Sequence, residues 1–418
     1  MAEASVRPQE DRVTRLLVVV AAVLLLGVVG MGAFLLGRES GDSSPGSNAA
    51  NSRVATGDFD YTVLNEISTI LHNQYLKSEN LDDRTLFEAA VNGMLAVLDD
   101  YGTGYMSPED YFLDTRVTGS FDGIGVTISQ ENGEIVIVEP IKDKPADKAG
   151  IGPGDVITAV DGESTKGWTT EKAQLRIRGK GGTQVTITIR HPDGTSQDYK
   201  LTRATVEQPS VATLLPGQLT DENDKPINDI GYVRIYSFSV RTAQELDEAL
   251  KNLSNAKTKG LIIDVRNNGG GVLRTAISSI DLLLDNGTIV IEREKDGRET
   301  EYTAKTGQLA SGVPIVVLQN KYSASASEIL SAALHDNGRG TIVGELSYGK
   351  GTVNTATTLS NGGALFVSTA TWLTPQRQLI DHVGVHPDIE IIPTDEDIDQ
   401  QIDRQLLKAV ELLRGQIK

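Results

Sequence analysis

The chain has 418 residues, which is enough for two or three domains. Its formal net charge of −18 argues against a nucleic-acid partner, because phosphate binding requires clustered Lys and Arg side chains. It contains no cysteine, so disulfides, thiol catalysis and Cys-ligated metals are excluded.

The N-terminal segment predicts a single membrane span. Residues 16–37 contain no charged side chain, and this run is about long enough to cross a hydrocarbon core of ~30 Å at ~1.5 Å per residue. Arginines precede it, so the positive-inside rule predicts that residues 1–15 are cytoplasmic and that the catalytic part is extracytoplasmic. The alternative is a cleaved signal peptide, whose apolar region of about 7–15 residues would be shorter than this one.

The next two segments indicate a linker and a helical region. Residues 38–56 are rich in Ser and Gly, which is typical of a flexible spacer. Within residues 57–118, apolar side chains at four-residue steps predict one face of a helix, formed by Leu86, Ala90, Met94 and Leu98. We interpret residues 57–118 as an N-terminal helical cap whose apolar face packs on another domain.

Residues 119–204 change to a pattern of short strands. Apolar runs predict strands at 125–129, 134–138, 156–160 and 184–190. A helix is predicted over 169–178, and a hairpin turn over 191–194. These elements indicate a small β-rich domain.

Strands and helices alternate through residues 205–395. Buried strands are predicted at 231–236, 260–265, 314–318 and 341–344. Thr242 and Glu245 fit a capping box for a helix that ends near Asn255. Alternation of this kind predicts a mainly parallel sheet covered by helices. Residues 396–418 predict a closing amphipathic helix.

Ser325 and Lys350 carry the pattern that points most directly to chemistry. A serine hydroxyl is a poor nucleophile until a base takes its proton, and a lysine serves as that base when burial lowers the pKa of its amine. Ser325 follows the predicted strand 314–318 and precedes a run with helical spacing, so it lies at a helix N-terminus, where N–H groups favour negative charge. Ser323 and Ser327 flank it, and the local pattern does not choose among the three serines.

Three segments resemble the signature segments of the carboxyl-terminal processing peptidases, also called tail-specific proteases. They are 264–271, 324–329 and 349–351, in the order that the family has them. The resemblance runs from about Phe59 to the C-terminus. It implies a multi-domain α/β fold in which a crotonase-like, spiral ββα protease core at 205–395 carries an inserted PDZ domain at 119–204.

The resemblance also implies the roles of individual residues. Ser325 is the nucleophile, Lys350 is the general base, and the backbone N–H groups of Gly270 and Ala326 form the oxyanion hole. The family places a glutamine four residues after the lysine to hold its amine, whereas this chain has Asn354, which is shorter by one methylene. We expect Asn354 to keep the orienting hydrogen bond in some form.

A segment of the β-rich domain, 149–157, resembles the circularly permuted PDZ domains of bacterial proteases. By that match, Gly123, Ile124, Gly125 and Val126 form the loop that binds a peptide's terminal carboxylate. The two glycines let successive N–H groups converge on the carboxylate while the peptide adds as a strand. Read alone, these four residues predict only an ordinary strand entry.

Two other enzyme classes fit the sequence less well. Residues 344–350 match the phosphate-binding pattern GxxxxGK, but Gly351 follows where magnesium binding requires Ser or Thr. The sequence has no GxSxG elbow, and no pair of its five histidines has metal-ligand spacing with an acidic third ligand. Arg266, Glu328 and Asp336 match charged positions of the family near the active site, where a structural role is at least as well supported as a catalytic one.

The sequence therefore predicts a membrane-anchored serine endopeptidase that acts outside the cytoplasm. We expect it to bind the unstructured, apolar C-terminal tails of proteins through its PDZ domain, and to need no metal or other cofactor. A homo-oligomer and an adaptor protein are left open as further partners. The alternative function is a catalytically weak PDZ-containing protein that captures protein tails, and Asn354 is the feature that favours it.

Overall fold

The computed structural model describes most of the chain from Asp60 onward. The described residues are 60–100, 102–115, 117–221, 225–305, 312–400 and 402–417. None of the helices within these ranges combines the length and the apolar character that a membrane span requires. The predicted span at 16–37, the predicted cytoplasmic segment 1–15 and the linker 38–56 lie outside the described residues.

Helix α1 spans Tyr61–Gln74 in the first of two compact units, which ends at Leu86. Asp60 is its N-cap residue, since the Asp60 carboxylate accepts the Thr62 N–H at 3.0 Å. This bond satisfies one of the N–H groups that a helix leaves without an intrahelical acceptor.

Helix α2 spans Asp83–Leu95 and crosses the boundary between the two units. It confirms the helix predicted from the four-residue apolar steps. The packing predicted for that face is wrong in its second half, because Met94 and Leu98 keep 51% and 52% of their surface exposed. Strand β1 (Gly104–Met106) and helix α3 (Pro108–Leu113) follow.

Residues 120–207 form a β-rich domain with an apolar core of its own. Its elements in chain order are β2 (Ser120–Gly123), β3 (Val126–Glu131), β4 (Glu134–Pro140), α4 (Pro145–Lys148), β5 (Val156–Val160), β6 (Glu163–Ser164), α5 (Thr170–Ile177), β7 (Gln184–Arg190), β8 (Ser196–Thr202) and β9 (Ala204–Glu207). Strands β3, β4, β5, β7 and β8 pair in that order as an antiparallel sheet, so β3 lies at one edge. Every second side chain of β7 is buried, because alternate residues of a strand face the same side of a sheet.

The strands that enter and leave this domain pair with each other. β2 and β9 form a two-stranded antiparallel ribbon, in which Ser120 lies opposite Glu207 and Gly123 lies opposite Ala204. The ribbon therefore runs from the connection with the rest of the chain to the start of the predicted carboxylate-binding loop.

The remaining chain forms an α/β core. Its elements in chain order are β10 (Val211–Leu214), β11 (Leu219–Thr220), β12 (Pro226–Ile227), β13 (Ile230–Ile235), α6 (Thr242–Asn255), β14 (Gly260–Asp264), α7 (Leu273–Asp281), β15 (Thr288–Glu294), β16 (Glu299–Thr303), β17 (Ile315–Gln319), α8 (Ala326–Asp336), β18 (Gly340–Gly344), β19 (Thr352–Thr358), β20 (Ala364–Leu373), β21 (Ile389–Glu390), α9 (Asp395–Asp399) and α10 (Arg404–Gln416). The main sheet has the order β10-β13-β14-β17-β18-β21. It is parallel from β13 to β21, as the alternation of strands and helices predicts.

Apolar clusters cover both faces of the main sheet. Leu261 and Ile263 of β14 pack into the cluster that contains the apolar side chains of α6, α7 and α8. Ile262 packs into a second cluster with Val410 and Leu413 of α10. β14 and β17 are buried along their whole length because helices lie on both faces. Each such aliphatic side chain contributes about 1.5–3 kcal/mol on burial.

A second, antiparallel sheet joins distant parts of the chain. Its order is β1-β20-β15-β16, and β19 also pairs with β20. Phe366 of β20 lies opposite Gly104 of β1 and also opposite Ala356 of β19. β20 therefore carries the N-terminal strand β1 on one edge and, on the other, the strand that follows Lys350.

The capping box predicted at the start of α6 is wrong. Arg241 is the N-cap residue, and its side chain makes no capping bond. Thr242 Oγ1 instead donates to the Ser237 carbonyl at 2.9 Å, and the Glu245 carboxylate accepts the Ser210 N–H at 2.7 Å. Thr242 thus bonds to backbone that follows β13, and Glu245 bonds to backbone at the entry to β10, because backbone groups in the interior need partners.

Candidate active site

Ser325 lies in a strained turn between a buried strand and a helix. β17 ends at Gln319 and α8 begins at Ala326. The Ser325 backbone has φ +56° and ψ −115°, a combination that steric repulsion makes rare for any residue with a Cβ. A strained strand-to-helix turn of this kind presents the nucleophile of many serine hydrolases. Such strain persists only where surrounding contacts hold it.

Hydrogen bonds hold the turn on both sides of the Ser325 Cα. The Ser325 N–H donates to the Glu328 carboxylate at 2.6 Å, as part of a capping box. The preceding Ala324 N–H donates to the Asn268 carbonyl at 3.0 Å. The Ile329 N–H donates to the Ser325 carbonyl at 3.0 Å and begins the regular bonding of α8.

The two flanking serines are buried and bonded to backbone. Ser323 Oγ donates to the Val265 carbonyl and Ser327 Oγ donates to the Asn268 carbonyl, each at 2.9 Å. Both residues are fully buried, whereas Ser325 is partly exposed. Of the three serines that the sequence leaves open, Ser325 is therefore the accessible one.

A glycine loop lies directly against Ser325. A Cβ on Gly270 would lie 2.8 Å from the Ser325 Cβ and 2.9 Å from the Ala324 carbonyl oxygen. Gly270 also has a φ of +100°, so only glycine fits both the contact and the backbone conformation. Ala326 is the first residue of α8, where a helix leaves N–H groups without intrahelical acceptors. Both predicted oxyanion donors therefore lie next to the candidate nucleophile.

The Gly270 N–H already has an acceptor in this structure. It donates to Asn268 Oδ1 at 2.9 Å, within a short turn. Asn268 is fully buried, and its amide nitrogen donates to the Ile235 carbonyl at 2.9 Å. The N–H group that is predicted to donate to an oxyanion therefore has an internal acceptor in this structure. Sequence reasoning missed this bond, although an asparagine two residues before a glycine is a recognised turn signal.

Glu328 joins the turn of Ser325 to the loop of Lys350. The oxygen that accepts the Ser325 N–H also accepts the Lys350 N–H at 2.9 Å. The other oxygen accepts the Gly349 N–H and the Ser347 hydroxyl, each at 2.6 Å. One carboxylate thereby holds the backbone of both predicted catalytic residues, and this contact gives the family match at Glu328 a structural explanation.

Glu328 is fully buried. Burial raises the pKa of its carboxyl, and hydrogen bonds from Ser347 and Gly349 oppose that rise without cancelling it. The ionised form of Glu328 is therefore less favourable in the folded chain than in water. The hydrogen-bond donors of the Ser325 and Lys350 loops stabilise the Glu328 carboxylate as their acceptor.

Backbone bonds also hold the residue after Lys350. The Gly351 N–H donates to Asp381 Oδ1 at 3.1 Å. The Gly351 carbonyl accepts the Trp372 N–H of β20 at 2.7 Å. Lys350 itself is partly buried, so its amine extends from a segment that is bonded on both sides.

Asn354 lies on β19 and bonds to a distant part of the chain. Its amide nitrogen donates to the Gly102 carbonyl, and the Thr352 hydroxyl lies 3.5 Å from Asn354 Oδ1. Gly102 belongs to a turn in which the Asp100 carboxylate accepts the Gly102 N–H at 2.8 Å. Sequence reasoning assigned residues 57–118 to a helical cap and therefore missed this partner.

The predicted carboxylate-binding loop leads into the edge strand of the β-rich domain. Gly123 ends β2, and Val126 begins β3. Gly125 has a φ of +75°, which favours glycine. The Ile124 carbonyl accepts the Ala146 N–H at 2.9 Å. Helix α5 contacts β3, and an edge strand beside a helix is the arrangement to which a peptide adds as a further strand.

Arg178 is a positively charged residue beside this loop that sequence reasoning did not select. Its guanidinium lies 3.9 Å from the centroid of the Phe121 ring, and its Nη1 donates to the Leu113 carbonyl at 3.2 Å. A Cβ on Gly123 would lie 3.8 Å from Arg178 Cγ. Burial lowers the pKa of Arg178 to about 10, so the side chain stays positively charged at neutral pH.

The segment before α6 contacts both the β2–β9 ribbon and the glycine loop. Arg241 pairs with Glu207 of β9 at 2.7 Å. Three residues earlier, the Phe238 N–H donates to the Gly270 carbonyl at 2.9 Å. A short run of backbone therefore connects the β-rich domain with the loop that contacts Ser325.

Two family models and several curated proteins match this chain. Residues 229–391 match the model of Peptidase family S41, and residues 112–190 match the model of the PDZ domain. The chain is 34% identical over 373 residues to the carboxy-terminal processing protease CtpA of Bacillus subtilis, which covers 89% of this chain and 74% of that protein. It is 38% identical over 316 residues to the carboxy-terminal-processing protease of Bartonella bacilliformis, which covers 74% and 70%.

A solved structure also aligns over most of the chain. The photosystem II D1 C-terminal processing protease is 30% identical, and the match covers 80% of this chain and 95% of that chain with a TM-score of 0.43. Both curated relatives are thus more than 30% identical to this chain over more than two thirds of each sequence. The chain therefore belongs to the carboxyl-terminal processing peptidases of family S41 and is a peptidase with a PDZ domain.

Proposed function

We propose that this peptidase is a serine endopeptidase with a Ser325–Lys350 dyad. The observation that supports the proposal best is the strained turn at Ser325, which Glu328 bonds to the backbone of Lys350. A strained backbone is unfavourable by about 1–3 kcal/mol and is found mostly where it serves function. The burial of the two flanking serine hydroxyls supports the same assignment.

In the proposed reaction, Ser325 Oγ attacks the carbonyl carbon of the scissile bond while the neutral Lys350 amine takes the hydroxyl proton. The N–H groups of Ala326 and Gly270 stabilise the oxyanion. Lys350 then gives the proton to the leaving amine, the C–N bond breaks, and an acyl-enzyme remains. Water attacks the ester carbon while Lys350 takes a proton of the water. The bond between that carbon and Ser325 Oγ then breaks, the proton returns from Lys350 to Ser325 Oγ, and the new C-terminal carboxylic acid leaves.

The bond between the Gly270 N–H and Asn268 Oδ1 adds a step to this scheme. We infer that the oxyanion replaces Asn268 Oδ1 as acceptor, so the resting site holds one of its two donors in an internal bond. The Asn268 amide nitrogen keeps its own bond to the Ile235 carbonyl, and this bond limits how far the side chain can turn.

The same proposal assigns substrate recognition to the PDZ domain. Residues 123–126 receive the terminal carboxylate of an unstructured, apolar protein tail, and the tail adds to β3 as a strand. Arg178 supplies positive charge beside Gly123. The sequence of residues 1–37 supports a membrane anchor with the catalytic part outside the cytoplasm, so the proposed substrates are extracytoplasmic proteins. The crotonase-like, spiral ββα arrangement of the core belongs to the same proposal.

Replacing Arg178 by Gln tests the carboxylate assignment. Loss of a charge-assisted contact is expected to raise KM for a tailed substrate roughly tenfold, with little change for a short peptide that cannot reach the PDZ domain. Steady-state kinetics on both substrates measure this. An equal change for the two substrates would assign Arg178 a purely structural role.

We also propose that the PDZ domain gates the site. The contacts from Glu207 through Arg241 and Phe238 to Gly270 support a coupling between tail binding and the oxyanion loop. Deleting residues 119–204 should therefore lower turnover of short peptides as well as affinity for tails. Unchanged turnover on short peptides would contradict gating and leave the dyad proposal intact.

A second candidate function is a catalytically weak protein that captures tails. The feature that favours it is Asn354 itself, which is one methylene shorter than the glutamine that the family has at this position. Asn354→Gln distinguishes the two functions. A large gain in activity would show that the native site is compromised, and unchanged or lower activity supports the enzyme.

The dyad proposal is tested with the full chain in detergent, acting on an unfolded protein with an apolar tail. Ser325→Ala and Lys350→Ala should each abolish cleavage. Lys321→Ala is the matched control, because Lys321 is an exposed lysine of the same turn and should leave cleavage unchanged. Absence of cleavage by the unmutated chain would favour the tail-capturing protein.

A further inference from the structure

The turn that contains Asp100, Gly102 and Thr103 lies against the strand that follows Lys350. The Asp100 carboxylate accepts the Gly102 N–H at 2.8 Å and the Thr103 hydroxyl at 2.5 Å. It also accepts the Ser368 hydroxyl of β20 at 3.0 Å. The Ser368 N–H in turn donates to the Thr103 hydroxyl at 3.0 Å. Asp100 therefore closes the turn internally and bonds it to the second sheet.

Thr352 and Asn354 connect this turn to the strand that follows the lysine. They are alternate residues of β19, so their side chains face the same side of the strand. Asn354 lies opposite Ser368, and the register shifts between Val353 and Asn354. Such irregularities re-aim side chains and are frequent next to active sites. The Thr352 and Ser368 hydroxyl oxygens lie 3.1 Å apart, which connects the two strands on the face that the turn covers.

The close approach of the turn requires glycine at position 102. A Cβ there would collide with the hydroxyls of Thr352 and Ser368 and would lie 3.0 Å from Asn354 Oδ1. Only the absence of a side chain lets the Gly102 carbonyl accept the Asn354 amide nitrogen. The turn is therefore built to contact Asn354 through main chain.

This bond decides which end of the Asn354 amide is available. A carboxamide has one oxygen that accepts and one nitrogen that donates, and an ammonium or amine N–H is held only by the oxygen. Because the Gly102 carbonyl takes the nitrogen, the amide is oriented with its oxygen as the acceptor. The Thr352 hydroxyl lies 3.5 Å from that oxygen, whose second lone pair is left for another donor. The Gly102 carbonyl is thus a backbone partner for an amide that is one methylene shorter than that of glutamine.

We propose that Asp100 is a positioning residue for the Lys350 amine: it holds the turn of Gly102 and Thr103, and the Gly102 carbonyl orients the Asn354 amide so that Oδ1 accepts from the lysine. The inference rests on the proposed Ser325–Lys350 dyad. It also places Asp100 and Gly102, which the sequence assigned to a helical cap, beside the catalytic machinery.

A double-mutant cycle on the full chain tests the inference with a short peptide substrate. Asp100→Asn keeps the shape of the side chain and is expected to lower kcat roughly 10- to 100-fold with KM nearly unchanged, as for other residues that orient a catalytic group. Asn354→Ala should lower kcat similarly, and the double variant should be no worse than Asn354→Ala. Gly102→Ala, which displaces the carbonyl, should reproduce the loss.

Asp193→Asn is the matched control. The Asp193 carboxylate accepts the Thr195 N–H at 2.9 Å and the Thr195 hydroxyl at 2.6 Å, so it makes the same kind of turn in the β-rich domain. It should keep the kcat of the unmutated chain. Wild-type kcat in Asp100→Asn, or losses that multiply in the double variant, would overturn the inference while the dyad stands.

A measurement without catalysis separates this inference from the dyad proposal. In chain labelled with ¹⁵N-asparagine, the Asn354 side-chain NH₂ signal is assigned by its loss in Asn354→Ala. Asp100→Asn should shift that signal and speed its hydrogen exchange, whereas Asp193→Asn should not. An unchanged signal in Asp100→Asn overturns the positioning role even if the unmutated chain cleaves nothing. The dyad is tested separately, by loss of cleavage in Ser325→Ala and Lys350→Ala.

Discussion

The helices α6 and α8 begin with the same sequence pattern and use it differently. Thr242 and Glu245 stand three residues apart at the start of α6, as Ser325 and Glu328 do at the start of α8. In α8 the glutamate turns back onto the Ser325 N–H and forms a capping box. In α6 the glutamate turns away from the helix and accepts the Ser210 N–H at the entry to β10.

Charge and burial separate the two glutamates. Burial acts to raise the pKa of Glu245, but hydrogen bonds from Ser210 and Arg241 outweigh it, and its pKa is lowered. For Glu328 burial prevails over its hydrogen bonds, and its pKa is raised. The pattern Ser/Thr-x-x-Glu therefore predicts where a helix begins. It does not predict whether the glutamate serves the helix, a domain connection or an active site.

The largest effect is expected from Glu328→Ala. The substitution leaves four donors without their acceptor, and each unsatisfied buried donor costs about 1–3 kcal/mol of unfolding free energy. Peptide cleavage should be lost, and thermal unfolding should show a lower Tm. Glu328→Gln keeps the shape and should retain the fold while lowering kcat by about 10²-fold, because the two loops separate. Near-normal kcat in Glu328→Gln would contradict the role assigned to this carboxylate.

Ser325→Gly should be more stable than Ser325→Ala. Both variants lose cleavage, but glycine adopts φ +56° and ψ −115° without the steric repulsion that alanine keeps. We expect a difference of about 1–2 kcal/mol in the free energy of unfolding, measured by urea denaturation. Arg241, at the start of α6, has a right-handed backbone conformation with φ −93°. Arg241→Gly should therefore not be more stable than Arg241→Ala. Equal stability of the two Ser325 variants would mean that the turn is not strained.

The two glutamates should respond to pH in opposite directions. A lowered pKa, as at Glu245, contributes stability above the unfolded value that is lost as pH falls through the folded pKa. A raised pKa, as at Glu328, contributes stability below the unfolded value that is lost as pH rises through the folded pKa. As pH rises, the unmutated chain should become more stable relative to Glu245→Gln, measured as its free energy of unfolding. Relative to Glu328→Gln, it should become less stable. Parallel trends in the two urea series would show that their environments do not differ as described.

The smallest effect is expected from Glu245→Gln on activity. Its contacts lie at the connection between the PDZ domain and the core, so a few-fold loss is expected on tailed substrates. Short peptides should be cleaved nearly as fast as by the unmutated chain. A loss as large as that of Glu328→Gln on short peptides would remove the distinction between the two helix starts.

Local patterns predicted the elements of the fold closely. The strands β5 and β7 match their predicted ranges, and α6 spans the predicted 242–255. Predicting each of these elements requires only information within one segment, such as alternation, helical spacing or turn residues. The packing of Met94 and Leu98 was predicted wrongly, because apolar spacing indicates a face and not its partner.

The candidate site was predictable only in part. The segments of Ser325 and Lys350 follow from motif and position in the chain. The Asn354 contact with Gly102 joins residues far apart in sequence, and the bond from the Gly270 N–H to Asn268 depends on the conformation of a loop. Polar side chains choose partners from the assembled tertiary structure, and no local pattern contains that choice.

The central claim is that the strained serine is the nucleophile and that Lys350 activates it. The most direct measurement is mass spectrometry of the chain after rapid acid quenching of a reaction with a tailed peptide. The account predicts an acyl group on Ser325 in the unmutated chain and none in Lys350→Ala. An acyl group on another residue, or acylation of Ser325 that persists at the same rate in Lys350→Ala, would contradict it.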